Sequence, residues 1–171
     1  MNKTFLTLLF LFLFQVSRAG NDLTPGLVKA YEQVLQLRFE DARELLNQES
    51  KGTKGHIVTY LEHYIQFLEI IISEDRQVFT SAASNRELIL HRLEAGDPGS
   101  PWHLYSQAMF NMQWAFARMK FGEYATAAVE MNRAYHLLVR NGDRYPGFAP
   151  NRAALGLMKV LIGSLPDNYQ W

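Results

Sequence analysis

From Thr24 onward, apolar residues return every three or four positions, and no useful length of chain alternates in the manner of a strand. This period predicts α-helices. Thr24-Pro25 reads as an N-cap followed by a proline at the first helical position, where a missing N–H costs nothing. Leu27, Tyr31, Val34 and Leu35 then form one apolar stripe. After a tight turn near Arg38, a second helix carries Phe39, Ala42, Leu45 and Leu46, and the glycines of Lys51-Gly52-Thr53-Lys54-Gly55 end the pair. A third helix is predicted from about His56 to Ile72. Its apolar residues, among them Ile57, Tyr60, Leu61, Tyr64, Ile65, Phe67 and Ile70, wrap most of the circumference, so it must be covered on several sides and should be the centre of the core.

Ser73-Glu74-Asp75 marks a fresh N-terminus, with acidic residues where the helix dipole favours them. The helix that follows is more polar, with Val78, Phe79, Ala82, Leu88, Ile89 and Leu93 on its inner side. It stops before Gly96-Asp97-Pro98-Gly99-Ser100-Pro101, the strongest breaker in the chain. Ser100 then caps a helix with Pro101 at its first position, and Trp102, Tyr105, Met109, Met112, Ala115, Phe116 and Met119 recur at helical steps. Gly122 makes the next turn. Tyr124, Ala127, Ala128, Met131, Ala134, Tyr135 and Leu138 continue the partner helix to Asn141-Gly142. An aromatic loop, Tyr145 to Pro150, leads to a last helix from Asn151 to about Gly163. The prediction is an all-α protein of about seven helices.

Two stretches share one spacing. Ala30 and Ala42 lie twelve residues apart with Phe39 three before the second alanine, and Ala115 and Ala127 repeat this with Tyr124. One small residue on each of two consecutive helices lets their backbones approach closely, and the aromatic opens the second helix. Ala115, Tyr124, Ala127, Met131 and Ala134, preceded by Trp114, resemble the tetratricopeptide repeat. Ala30, Phe39, Ala42 and Leu46 resemble it too, with Lys29 and Glu49 at positions where that family prefers apolar and small residues. The resemblance, of a divergent kind, implies antiparallel hairpins stacked as a tetratricopeptide-like α-solenoid that binds a protein or peptide and needs no cofactor. The chain is also similar to the N-terminal part of longer exported bacterial helical-repeat proteins.

The first residues change the expected compartment. Lys3, the apolar Phe5 to Phe14, and Ser17-Arg18-Ala19 have the layout of a secretory signal. Residues 1–19 are therefore read as a signal peptide and 20–171 as one helical domain, exported to the periplasm or secreted. The apolar stretch is shorter than the roughly 20 residues that span a bilayer, and membrane association is expected only if this segment is retained. The chain has no cysteine, so no disulfide holds the fold and no lipid-modified cysteine anchors it. Without the signal, fifteen basic side chains face seventeen acidic ones. That balance gives no general attraction to nucleic acid, which is not expected as a partner.

Candidate chemistry is sparse. His56 and His63 share the third helix but lie about 10 Å apart along its axis, too far to share one metal ion. Glu69, Glu74 and Asp75 are acidic neighbours, yet acids at a helix start are commonly dipole partners. No HExxH, GxSxG, phosphate loop or GxGxxG is present. No catalytic, cofactor or metal residue is assigned, and no enzyme activity is expected. The repeat resemblance instead points to Met109, Met112, Phe116 and Met119 as a soft apolar strip for a partner, with Trp102 and Tyr105 as a second contact. The competing reading makes the same stripe plain core.

A solenoid needs a terminal cap with a polar outer face, whereas the last helix carries Leu155, Leu157, Met158, Val160, Leu161 and Ile162. That helix either folds back onto the core or meets a following repeat, in which case the reading frame is a truncated part of a longer protein. The expected function is an exported protein–protein interaction module. The alternatives are a structural fragment or cap of a larger envelope scaffold, or a signal-anchored membrane-associated protein.

Overall fold

The computed structural model describes residues 23–50 and 55–163. The expected signal segment, the polar loop at 51–54 and the tail beyond the last helix lie outside the described residues. Among the described residues the chain is all helical, with eight helices and no strand. They are α1 (Pro25–Leu35), α2 (Phe39–Glu49), α3 (Gly55–Ser73), α4 (Arg76–Ser84), α5 (Arg86–Glu94), α6 (Pro101–Lys120), α7 (Tyr124–Arg144) and α8 (Ala149–Gly163).

The predicted caps form. The Thr24 hydroxyl accepts from the Leu27 N–H at 3.1 Å, and the Ser100 hydroxyl accepts from the Trp102 N–H at 3.2 Å, each followed by its proline. The Asp75 carboxylate accepts from the Gln77 N–H at 2.6 Å. The α1–α2 turn is tightened by Leu37, an exposed residue held at φ 60°. Gly122, at φ 83°, makes the α6–α7 turn in the left-handed region that glycine enters without steric cost.

The helix expected from Asp75 to Leu93 is two helices, and this is the source of the eighth. Thr80 and Ser84 turn their hydroxyls back onto the carbonyls of Arg76 and Ser81, at 2.8 and 2.7 Å, which competes with the main-chain ladder. Asn85 then sits at φ −101°, ψ 1° between the two segments. The apolar phase survives the break, with Phe79, Ala82, Leu90 and Leu93 buried, but Val78 and Leu88, expected inside, are exposed.

α3 is the hub. It packs against α1, α2, α4, α5 and α6, as its all-round apolar surface requires. α6 is buried nearly as completely, between α3, α5 and α7, with Phe110 and Trp114 fully enclosed. The two pairs α1–α2 and α6–α7 pack closely, and their alanines Ala30, Ala42, Ala115 and Ala127 are all buried. α8 folds against α7 through Ala154 and Met158, both fully buried.

α7 runs past Asn141-Gly142, where the sequence suggested an end. Asn141 is fully buried and donates to the Pro101 carbonyl at 3.0 Å and to Asn151 Oδ1 at 3.1 Å. Asn151 in turn donates to the Leu138 carbonyl at 2.8 Å. Gly142 serves this contact, since a Cβ there would stand 3.2 Å from Asn151 Nδ2. One asparagine thus ties α6, α7 and α8 together. Asn141→Ala is expected to cost about 2 kcal/mol, because it leaves the Asn151 side-chain oxygen buried without its donor. A urea titration checks the cost, and hydrogen exchange should show α8 amides losing protection first.

Candidate functional site

The residues selected from the sequence divide sharply. Met109, Met112, Trp102 and Tyr105 are buried within the chain itself, Phe116 is half-buried against the core, and Met119 alone is exposed, at 36 %. The methionine strip faces other helices of this molecule for most of its length. Trp102 and Tyr105 form an edge-on trio with Phe148, with ring centroids 5.2 to 5.5 Å apart, and so fasten the turn after α7 to the start of α6.

Tyr105 also belongs to a larger grouping. Tyr31 on α1, Tyr60 and Tyr64 on α3 and Tyr105 on α6 follow one another at centroid distances of 6.2, 6.2 and 6.1 Å. Tyr60 and Tyr105 are buried, whereas Tyr31 and Tyr64 are half-buried. Burial pushes the Tyr31 hydroxyl up to about 12 and raises Tyr60, Tyr64 and Tyr105 as well. All four stay neutral phenols near neutral pH. They offer aromatic faces and hydroxyl hydrogen bonds, not a phenolate base or nucleophile.

A second constellation is internal. Arg86 on α5 is buried, with its Nε 2.9 Å from Glu130 Oε1 on α7 and an Nη donating to Asn111 Oδ1 on α6 at 3.1 Å. The same Glu130 oxygen accepts from Arg118 Nε at 3.0 Å, and Arg118 also pairs with Glu123. The guanidinium groups lie over aromatic rings, Arg86 over Phe110 at 5.4 Å and Arg118 over Trp114 at 5.7 Å. Nearby, His63 Nδ1 is 2.8 Å from Gln113 Oε1, and the imidazole packs on Phe110 with centroids 4.3 Å apart. Burial drives its pKa down to about 3, against a smaller opposing effect of the Gln113 hydrogen bond. This group locks α3, α5, α6 and α7 together, with His63, Arg86, Asn111, Gln113 and Glu130 all buried.

The acidic neighbours each have a structural task. Glu69 accepts from Arg43 at 2.8 Å, Glu74 from Lys120 at 2.7 Å, and Asp75 caps α4. Glu69 and Asp75 border one open groove with Gln66, Gln77 and Ser81. His56 and His63 are both buried, and no cluster of three or more metal-ligating side chains occurs among the described residues. No helix among them is long and apolar enough to cross a membrane. No protein-family model, curated protein or solved structure matches the chain.

The sequence reading missed the tyrosine row and the Arg86–Glu130 lock. The lock had a signal, since Arg86 falls seven residues after Phe79 on an apolar stripe, and Glu130 lies between Ala127 and Ala134 at buried helical positions. The row had none. Tyr31, Tyr60, Tyr64 and Tyr105 come from three helices separated by up to 74 positions, and beyond the four-residue step from Tyr60 to Tyr64 nothing in the spacing brings them together.

Proposed function

We propose that the chain is an exported protein–protein interaction module, a tetratricopeptide-like stack of helical hairpins that binds a peptide or protein on the face formed by α1, α3 and α6. The observation that carries this reading is the gathering of four tyrosines from those three helices into one row, with its Tyr31 and Tyr64 end half-buried and so partly open to solvent. Tyrosine supplies a large, rigid contact area at low entropic cost and a hydroxyl for orientation. The stacked arrangement is supported by α1 packing on α3 and α3 on α6, while α2 and α7 each pack on the helix before them and Ala30, Ala42, Ala115 and Ala127 are buried. The signal-like layout of residues 1–19 supports export.

The partner binds passively to helices that are already ordered, so little conformational entropy is lost on association. The test places the photoreactive p-benzoylphenylalanine at position 31, 64 or 88 of the chain expressed in a secreting bacterium. One discrete adduct from positions 31 and 64, absent from the exposed α5 position 88, is the expected result. Adducts of equal yield from all three positions, or none from 31 and 64, would refute the tyrosine face as a binding surface.

A further inference from the structure

We propose that the solvent face of α7 is a second docking surface, specific for an acidic polypeptide segment. This goes beyond the tyrosine-face reading and stands on a different helix. Arg133, His136, Arg140 and Arg144 are all exposed and follow one another at steps of three, four and four residues. Such spacing places them on one side of the helix, in a line about 16 Å long. Val129, 61 % exposed, continues the line one turn toward the N-terminus. Among the described residues none of the four is held by a carboxylate, and Arg144 only lies over the ring of Tyr145. Of the two acids on α7, Glu130 points inward to Arg86 and Arg118, which leaves Asp143 as the single exposed carboxylate on this helix.

The charge is distributed unevenly along the chain. Residues 98–171 hold seven basic and four acidic side chains, whereas residues 20–97 hold eight basic and thirteen acidic. The balanced total therefore conceals a basic side on α7. Three of the four residues in the line are arginines, whose planar forks bind carboxylates through two hydrogen bonds. An opposing helix or strand with carboxylates at matching intervals would meet them in succession.

Other polyanions fit less well. A nucleic acid extends past the line and meets the acidic remainder of the chain. A lipid surface is best gripped by a basic helix that also displays Trp, Phe or Leu for insertion, and the exposed face of α7 carries alanines, Val129 and, at its start, Tyr124. A short acidic segment contacts the arginine line alone.

The experiment measures binding of a fluorescent poly-L-glutamate of roughly 20 residues to the purified chain at about 0.15 M salt, where distant charges are screened. Arg133→Gln/Arg140→Gln is expected to weaken binding about tenfold or more, and the control pair Lys29→Gln/Arg92→Gln, exposed on α1 and α5, less than about twofold. Equal losses from both pairs, or no binding by the parent chain, would overturn the proposal. So would tighter binding of phosphatidylglycerol vesicles or of an oligothymidylate through the same arginines. Photo-adducts from positions 31 and 64 should persist in the Arg133→Gln/Arg140→Gln variant, so the fate of this surface is read separately from that of the tyrosine face.

Discussion

Glu130→Ala should be the most damaging polar substitution in the molecule, lowering the unfolding free energy by about 3–5 kcal/mol. The wild-type carboxylate answers two guanidinium groups, one of them on a side chain only 8 % exposed. Removing it leaves Arg86 enclosed between α5, α6 and α7 with only the neutral Asn111 and the rim residue Glu87 as partners. A buried cation without its counter-charge costs far more than the pair contributes while intact, since both ions were desolvated on folding. Arg86→Met/Glu130→Met should therefore be much less destabilised than the sum of its single substitutions, because each change removes the charge the other would strand. Urea unfolding of Glu130→Ala and of the four chains in this cycle checks both expectations. A loss below about 1 kcal/mol for Glu130→Ala, or additive single effects, would show that the lock contributes little.

Acid should weaken the protein well before its carboxylates are protonated, and His63 is the expected cause. The ordinary imidazole pKa of 6.5 falls to about 3 in the folded chain, chiefly through burial. Between those values the unfolded chain holds a proton on this residue that the folded chain excludes. Unfolding therefore takes up protons, and stability falls with falling pH through that window. The contribution is fully present above pH 6.5 and amounts to a loss on the order of 2–3 kcal/mol by pH 4.5. His63→Phe should be less stable at neutral pH, because Gln113 loses its partner, yet lose stability less steeply on acidification. Other titrating groups, such as Glu74 held low by Lys120, act equally in both chains and cancel in the comparison. Parallel pH profiles for parent and variant would rule out His63 as the acid-sensitive group.

The helices, their caps and their order were legible in the linear pattern because each depends on neighbours within a turn or two. Ser100-Pro101, Thr24-Pro25 and the 3.6-residue stripe of α3 state their structure locally. The pattern failed where a local feature was ambiguous. The Ser and Thr residues of α4 compete with the helix ladder, so one predicted helix became two, and Gly142 resembled a helix end while serving as the contact point for Asn151. The methionine strip of α6 had helical period but no mark of what would cover it, and α3, α5 and α7 do.

Sequence alone determined that the chain is helical and where the caps of α1 and α6 stand, and it singled out four alanines that are buried. Tertiary structure alone decided that Met109 and Met112 turn inward, that Arg86 and Glu130 meet across α5 and α7, and that four tyrosines from α1, α3 and α6 share one row. The physical reason is range. Helix propensity, capping and amphipathic period are set within a few residues. The faces left to solvent depend on how distant helices pack, and that packing follows from burial summed over the whole chain.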